Sequence, residues 1–142
     1  MATKTWLALS AVLVFLAGWC LGNQQALRAQ STARVFEIRT YTANEGKLPA
    51  LHAMFKNHVV KLLEKQGMQS IGYWTPTDAP LSQSTLIYIV AHASRDAARK
   101  SWDAFRNDPQ WKKVQQEADA DGRVVGMVES VFTDPTDYSP LR

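Results

Sequence analysis

From Val35 onward the hydrophobic pattern switches between a period of two and a period of about 3.6 residues, in the order strand, helix, strand, strand, helix, strand. That order leaves few folds open. VFEIRTYT alternates strictly, so Phe36, Ile38 and Thr40 point one way and Glu37, Arg39 and Tyr41 the other. The turn Asn44-Glu45-Gly46 opens a helix expected from about Lys47 to Gln66, with Pro49 in the first turn, where a backbone N–H has no partner to lose. Leu48, Leu51, Phe55, Val59 and Leu62 form one apolar stripe that must face a sheet, and Gly67 supplies a left-handed stop. A second strand is expected from about Met68 to Thr75, ending at Pro76. The turn-rich PTDAPLSQS leads to a third from Thr85 to Ala93, where LIYIVAHA is apolar enough for an inner strand covered on both faces. Ser94 caps the next helix, with Ala98, Trp102 and Phe105 as its stripe. Asp108-Pro109 restarts it as far as Gly122, with Trp111, Val114 and Ala118 on the apolar side. The last strand, about Val124 to Phe132, runs into the irregular tail TDPTDYSPLR.

This order predicts an α+β domain of ferredoxin-like split βαβ type (βαββαβ): a four-stranded antiparallel sheet with both helices on one face. The other face is left open. On a small domain a bare, partly aromatic sheet face calls for a second subunit, so a homodimer is expected. The lining expected on that face is Glu37, Arg39, Tyr41, Met127, Glu129 and one side of Met68 to Trp74, with a cavity enclosed between two such faces.

Ahead of the domain, Trp6 to Leu21 is apolar and uncharged, preceded by Lys4 and followed by the polar, small-residue GNQQALRAQSTAR. This is the layout of an export signal. Small residues at Ser31 and Ala33 suit cleavage there, with Leu27-Arg28-Ala29 a poorer site, while residues 6–21 also approach the shortest length that spans a bilayer. Residues 1–33 are therefore expected to be a signal peptide or an N-terminal membrane anchor, and 34–142 an exported domain, periplasmic or extracellular, or held to the inner membrane by residues 6–21. Cys20 follows Trp19 rather than a small residue, so lipidation is not expected, and no other cysteine exists for a disulfide, a thiolate nucleophile or a Cys-ligated metal. The 16 Lys+Arg and 13 Asp+Glu give a pI near 9.1, but two of the cations lie in the leader. The domain is close to neutral and has no Lys/Arg cluster that would neutralise several phosphates, which excludes nucleic acid as a partner.

Three blocks carry a resemblance: VFEIRTYTANEGKLPALHAMFKNHVVKLLEKQGMQSIGYW, AHASRDAARKSWDAFRNDPQWKK and VESVFTDPTDYSPL. The glycine turn, the Gly-x-Trp strand, the W-x-x-F-x-x-D-P-x-W helix and the Y-S-P ending, in that order, resemble a NIPSNAP-family domain over nearly all of the chain after Ala33. The resemblance implies a dimeric α+β barrel, in which ferredoxin-like subunits pair their sheets face to face. Relatives of that fold include cofactor-independent monooxygenases, haem-dependent chlorite dismutases and isomerases, whereas the family itself implies no particular reaction. Animal members are mitochondrial proteins linked to vesicle traffic and mitophagy. The export leader sets this chain apart from them, so those roles are not carried over.

Candidate chemistry is sparse. His58, on the apolar stripe, is either a core histidine or a pocket acid/base, with haem ligation the further option its ring allows; no cofactor is otherwise expected. His52 lies on a different helix face from His58, His92 is on a strand and no HExxH spacing occurs, so no metal site is expected. Glu37, Arg39 and Tyr41 share one face and read as an interface ion-pair network or as the polar floor of a ligand site, with Arg39 as anion stabiliser and Glu37 as its partner. Tyr73, Trp74 and Glu129 are further lining candidates. No G-x-S-x-G, P-loop or dinucleotide fingerprint is present. Two functions are left open: a homodimeric small-molecule-binding or structural module, and a cofactor-independent oxygenase or isomerase acting on a small apolar or aromatic substrate.

Overall fold

The computed structural model describes residues 34–141. The expected leader, its cleavage sites and Cys20 lie outside the described residues. Strand β1 (Val35–Ala43) leads into helix α1, which runs through Leu48–Met54, a π-helical turn at Phe55–Val59 and Val60–Lys65. Strands β2 (Gln69–Trp74) and β3 (Thr85–His92) are followed by helices α2 (Arg95–Asn107) and α3 (Pro109–Ala118), and then by β4 (Val125–Thr133). The sheet is antiparallel throughout, in the order β2-β3-β1-β4. This is the α+β split βαβ arrangement expected, with the helices on one face.

Local chemistry accounts for the boundaries. The Ser94 hydroxyl accepts from the Ala97 N–H at 3.1 Å to start α2, and Asp108 Oδ1 accepts from the Gln110 N–H at 2.8 Å to start α3, with Pro109 in the first turn. Gly67 stops α1 at φ +77°, a conformation that costs a Cβ-bearing residue about 1 kcal/mol or more. The expected stripes pack the core. Leu51, Phe55, Val59 and Leu62 of α1, and Trp102 and Phe105 of α2, are buried against Leu86, Tyr88 and Val90 of β3. In α3 only Val114 is fully buried, and Trp111 and Ala118 flank it.

The expected facing of β1 is reversed. Tyr41 meets Phe55 of α1 edge-on at 5.5 Å, and Glu37 accepts a hydrogen bond from Trp102 of α2, so Glu37, Arg39 and Tyr41 lie under the helices and not on the open face. Phe36, Ile38 and Thr40 take the open face, beside Ala91, Ile89 and Ile87 of β3. Apolarity alone would put Phe36 and Ile38 inward. The buried carboxylate is tolerated because it is fully hydrogen-bonded, and Phe36 and Ile38 are covered instead by the tail, where Pro135, Thr136 and Leu141 close a cleft of about 270 Å³ with them. Trp74, Met127 and Glu129 are on the open face, as expected. The lining foreseen as one set is thus split between two faces. β3 is an inner strand, but only its helix side is fully covered within one chain, and Ile87 and Ile89 are half-buried.

Candidate functional site

Glu37 is the centre of a buried polar cluster. Its side chain is 1% exposed, Oε1 accepts from Arg39 Nη1 at 2.7 Å and Ser130 Oγ at 2.6 Å, and Oε2 accepts from Trp102 Nε1 at 2.6 Å and His92 Nε2 at 3.0 Å. An ionised carboxylate can only accept, so His92 carries its proton on Nε2. Burial alone would raise the Glu37 pKa. The hydrogen bonds from His92, Ser130, Trp102 and Arg39 outweigh it and hold the group down at about 2.

Arg39 is one rung along the same face of β1. Its guanidinium stacks 4.1 Å from the Trp102 ring centroid, and Nη2 reaches Tyr41 Oη at a long 3.5 Å. Burial opposes its charge, but Tyr41, Tyr88 and Glu37 favour it, and the pKa moves up on balance. Tyr41 continues the row: Tyr88 Oη donates to its oxygen at 3.4 Å, and Tyr88 stacks on Tyr73, whose hydroxyl shares a 2.7 Å bond with Ser70. Burial pushes both Tyr88 and Tyr73 upward, so neither supplies a phenolate near neutral pH.

A cleft of about 160 Å³ opens at the Tyr41 end of this row. Tyr41 and Val128, paired across β1 and β4, lie at its sheet side; Met54 of α1 and Trp111 and Gln115 of α3 form the helix side, and Asp119, Arg123, Val124 and Val125 the rim. The next pair on the same face is Arg39 with Ser130, about 6.6 Å further along at two residues per step. The apolar cleft ends at Tyr41, and Arg39, held by a saturated carboxylate, is bonded behind the Tyr41 hydroxyl. The rim is fastened from below: Asn44 Nδ2 donates to the Arg123 carbonyl and Lys47 Nζ to that of Asp121, both at 2.7 Å.

The remaining candidates lie elsewhere. His58 is half-buried in a separate groove of about 270 Å³ between α1 and α3, with Ala50, Ala53, Asn57, Val114 and Glu117, and it is not brought to the Glu37 cluster. The π-helical turn, where the Val60 N–H reaches back to Phe55, shifts the helical register there, and the stripe passes through Phe55 and Val59, leaving His58 beside it. Trp74 and Glu129 face away from Tyr41, so they cannot wall the same pocket. Among the described residues no group of His, Cys, Asp and Glu could hold a metal ion. Sequence reasoning missed His92, Trp102 and Ser130 as partners of Glu37. The signal was available in part, because Trp102 and a donor-bearing β4 residue both belong over a carboxylate once its face is known.

The family model for NIPSNAP matches residues 36–140. The chain belongs to the NIPSNAP family. Among solved structures, a NIPSNAP family protein of unknown function from Agrobacterium tumefaciens is similar, with 22% identity and a TM-score of 0.67 over 78% of this chain and 95% of that one. SnoaB, a cofactor-independent oxygenase from Streptomyces nogalater, shares the fold at 11% identity and a TM-score of 0.52, over 77% of this chain and 99% of its own. A Streptomyces coelicolor monooxygenase, in complex with nanaomycin D, does so at 16% and 0.54, over 75% and 91%. No curated protein matches the chain. At these identities the likenesses establish the ferredoxin-like α+β fold of a NIPSNAP domain, and fold does not fix activity.

Proposed function

We propose that this NIPSNAP domain is an exported homodimer that binds a small, largely apolar molecule in the cleft between its sheet and its helices. The observation that carries this reading is the cleft itself, apolar at Met54, Trp111, Val124 and Val128 and ending at Tyr41, to which Arg39 is bonded from behind. Pairing of the open faces is supported by Trp74, Met127 and Val131, which are 49%, 53% and 59% exposed on one side of the sheet. Export is supported by the uncharged run from Trp6 to Leu21.

Native mass spectrometry of the protein purified from its own host reads all three parts. The expected species is a dimer of chains that begin near Arg34 or Gln30, carrying a small-molecule adduct. A monomer at micromolar concentration contradicts the dimer, a chain that keeps Met1 or Ala2 in the membrane fraction means anchoring, and a bare dimer leaves a structural role alone.

A second reading, a cofactor-independent oxygenase or isomerase, draws support from the fold shared with the two Streptomyces oxygenases and from the Arg39 cation behind Tyr41. In it Arg39 stabilises an anion and Glu37 fixes Arg39, while His58 lies in the neighbouring groove across Met54. Oxygen uptake with small phenols that disappears in Arg39→Gln supports this reading; binding without uptake keeps the first.

A further inference from the structure

Counting donors and acceptors around Arg39 identifies the kind of group the cleft receives. Glu37 is saturated, because bonds from Arg39, Ser130, Trp102 and His92 fill the roughly four acceptor sites of a carboxylate. Arg39 is not. One N–H goes to Glu37 at 2.7 Å and one reaches Tyr41 at 3.5 Å, while Nε is buried with no partner among the described residues. Tyr41 Oη accepts from both Arg39 and Tyr88, so its own proton points at neither, and Tyr41 lines the cleft. Donors are therefore in surplus around Tyr41, where Glu37 has no acceptor capacity left, and the other carboxylate, Asp119, is out at the rim. At the rim Arg123 adds a second cation, and Asp119 Oδ1 is engaged by the Val124 N–H at 2.8 Å.

Shape narrows the choice. The cleft holds about 160 Å³, well under the roughly 300 Å³ at which drug-sized sites begin. Its walls at Trp111 and Val128 are apolar, and Trp102 covers one face of the guanidinium. A tyrosine hydroxyl that already accepts from a guanidinium is polarised to donate, and it favours a delocalised oxyanion over a neutral or cationic headgroup.

We propose that the Tyr41 end of the cleft, with Arg39 bonded behind the Tyr41 hydroxyl, binds an oxyanion, the carboxylate or enolate of a planar molecule no larger than a single ring. This rests on the cleft being the ligand site. Benzoate, benzamide and benzylamine share one ring and differ in headgroup charge, so calorimetric titration of the purified protein with each tests the class. Benzoate binds at least tenfold tighter than benzamide, and benzylamine binds weakest. Tyr41→Phe keeps the ring and weakens benzoate alone by several-fold, and Arg39→Gln, checked for folding by circular dichroism, erases the preference. Benzamide or benzylamine binding as tightly as benzoate overturns the oxyanion while leaving the cleft as a ligand site, and so does a benzoate preference that survives Arg39→Gln. No binding of any of the three at millimolar concentration contradicts both.

Discussion

Glu37 ties folding to pH. Its pKa is held at about 2 in the folded protein, against an ordinary value near 4.5, so the folded state prefers the ionised form. The stabilisation is fully present above the unfolded value and is lost as pH falls through the folded one, so stability is expected to drop between about pH 5 and pH 2, by roughly 3 kcal/mol from this group. Glu37→Gln strands the Arg39 charge and should cost about 3–5 kcal/mol at neutral pH while flattening that acid limb. Urea melts from pH 2 to pH 7 check both, and an unchanged acid limb in the variant contradicts the linkage. The residue pair was legible in the sequence, since positions two apart on a strand share a face. Which face was not: alternation gives the two sets but not the side the helices take, and here four donors drawn from β1, β3, β4 and α2 decide it.

Elements were legible where local chemistry sets them. Ser94, Asp108-Pro109 and Gly67 act as read, because caps and stops depend on a few neighbouring residues. The π-helical turn at Phe55–Val59 was not, since it depends on packing that brings Phe55 against Tyr41, Tyr73 and Tyr88. The tail's cover over Phe36 and Ile38 was equally invisible to periodicity. Asp108 does more than cap: its Oδ2 also accepts from Lys65 Nζ at 2.7 Å and Gln66 Nε2 at 3.0 Å, joining the end of α1 to the α2–α3 corner. Asp108→Ala therefore removes a cap and an inter-helix joint together, and a loss of about 1–2 kcal/mol is expected in thermal or urea unfolding. A change within a few tenths would show that the joint carries nothing. Asp108→Asn keeps an acceptor for the Gln110 N–H and should recover most of the cap.

At the scale of the whole molecule the two sheet faces are proposed to have separate tasks, the helix side to hold a ligand and the open side to meet a second copy. Val131, on the open edge strand, is the place to break the second task. Val131→Lys puts a charge into the open face and should give a monomer in light scattering while leaving the Glu37 cluster folded; a dimer that survives it moves the interface elsewhere. The central claim is that the ligand sits under the helices and not between paired sheets, which is where the sequence alone placed it. The methionines report which side of the sheet is occupied, because Met54 lines the cleft and the neighbouring His58 groove on the helix side, Met68 is buried in the core and Met127 lies on the open face. In a methyl NMR titration of methionine-labelled protein with benzoate, the Met54 resonance should move while those of Met68 and Met127 hold still. Movement of Met127 with Met54 unchanged would place the ligand between the sheets and contradict the account.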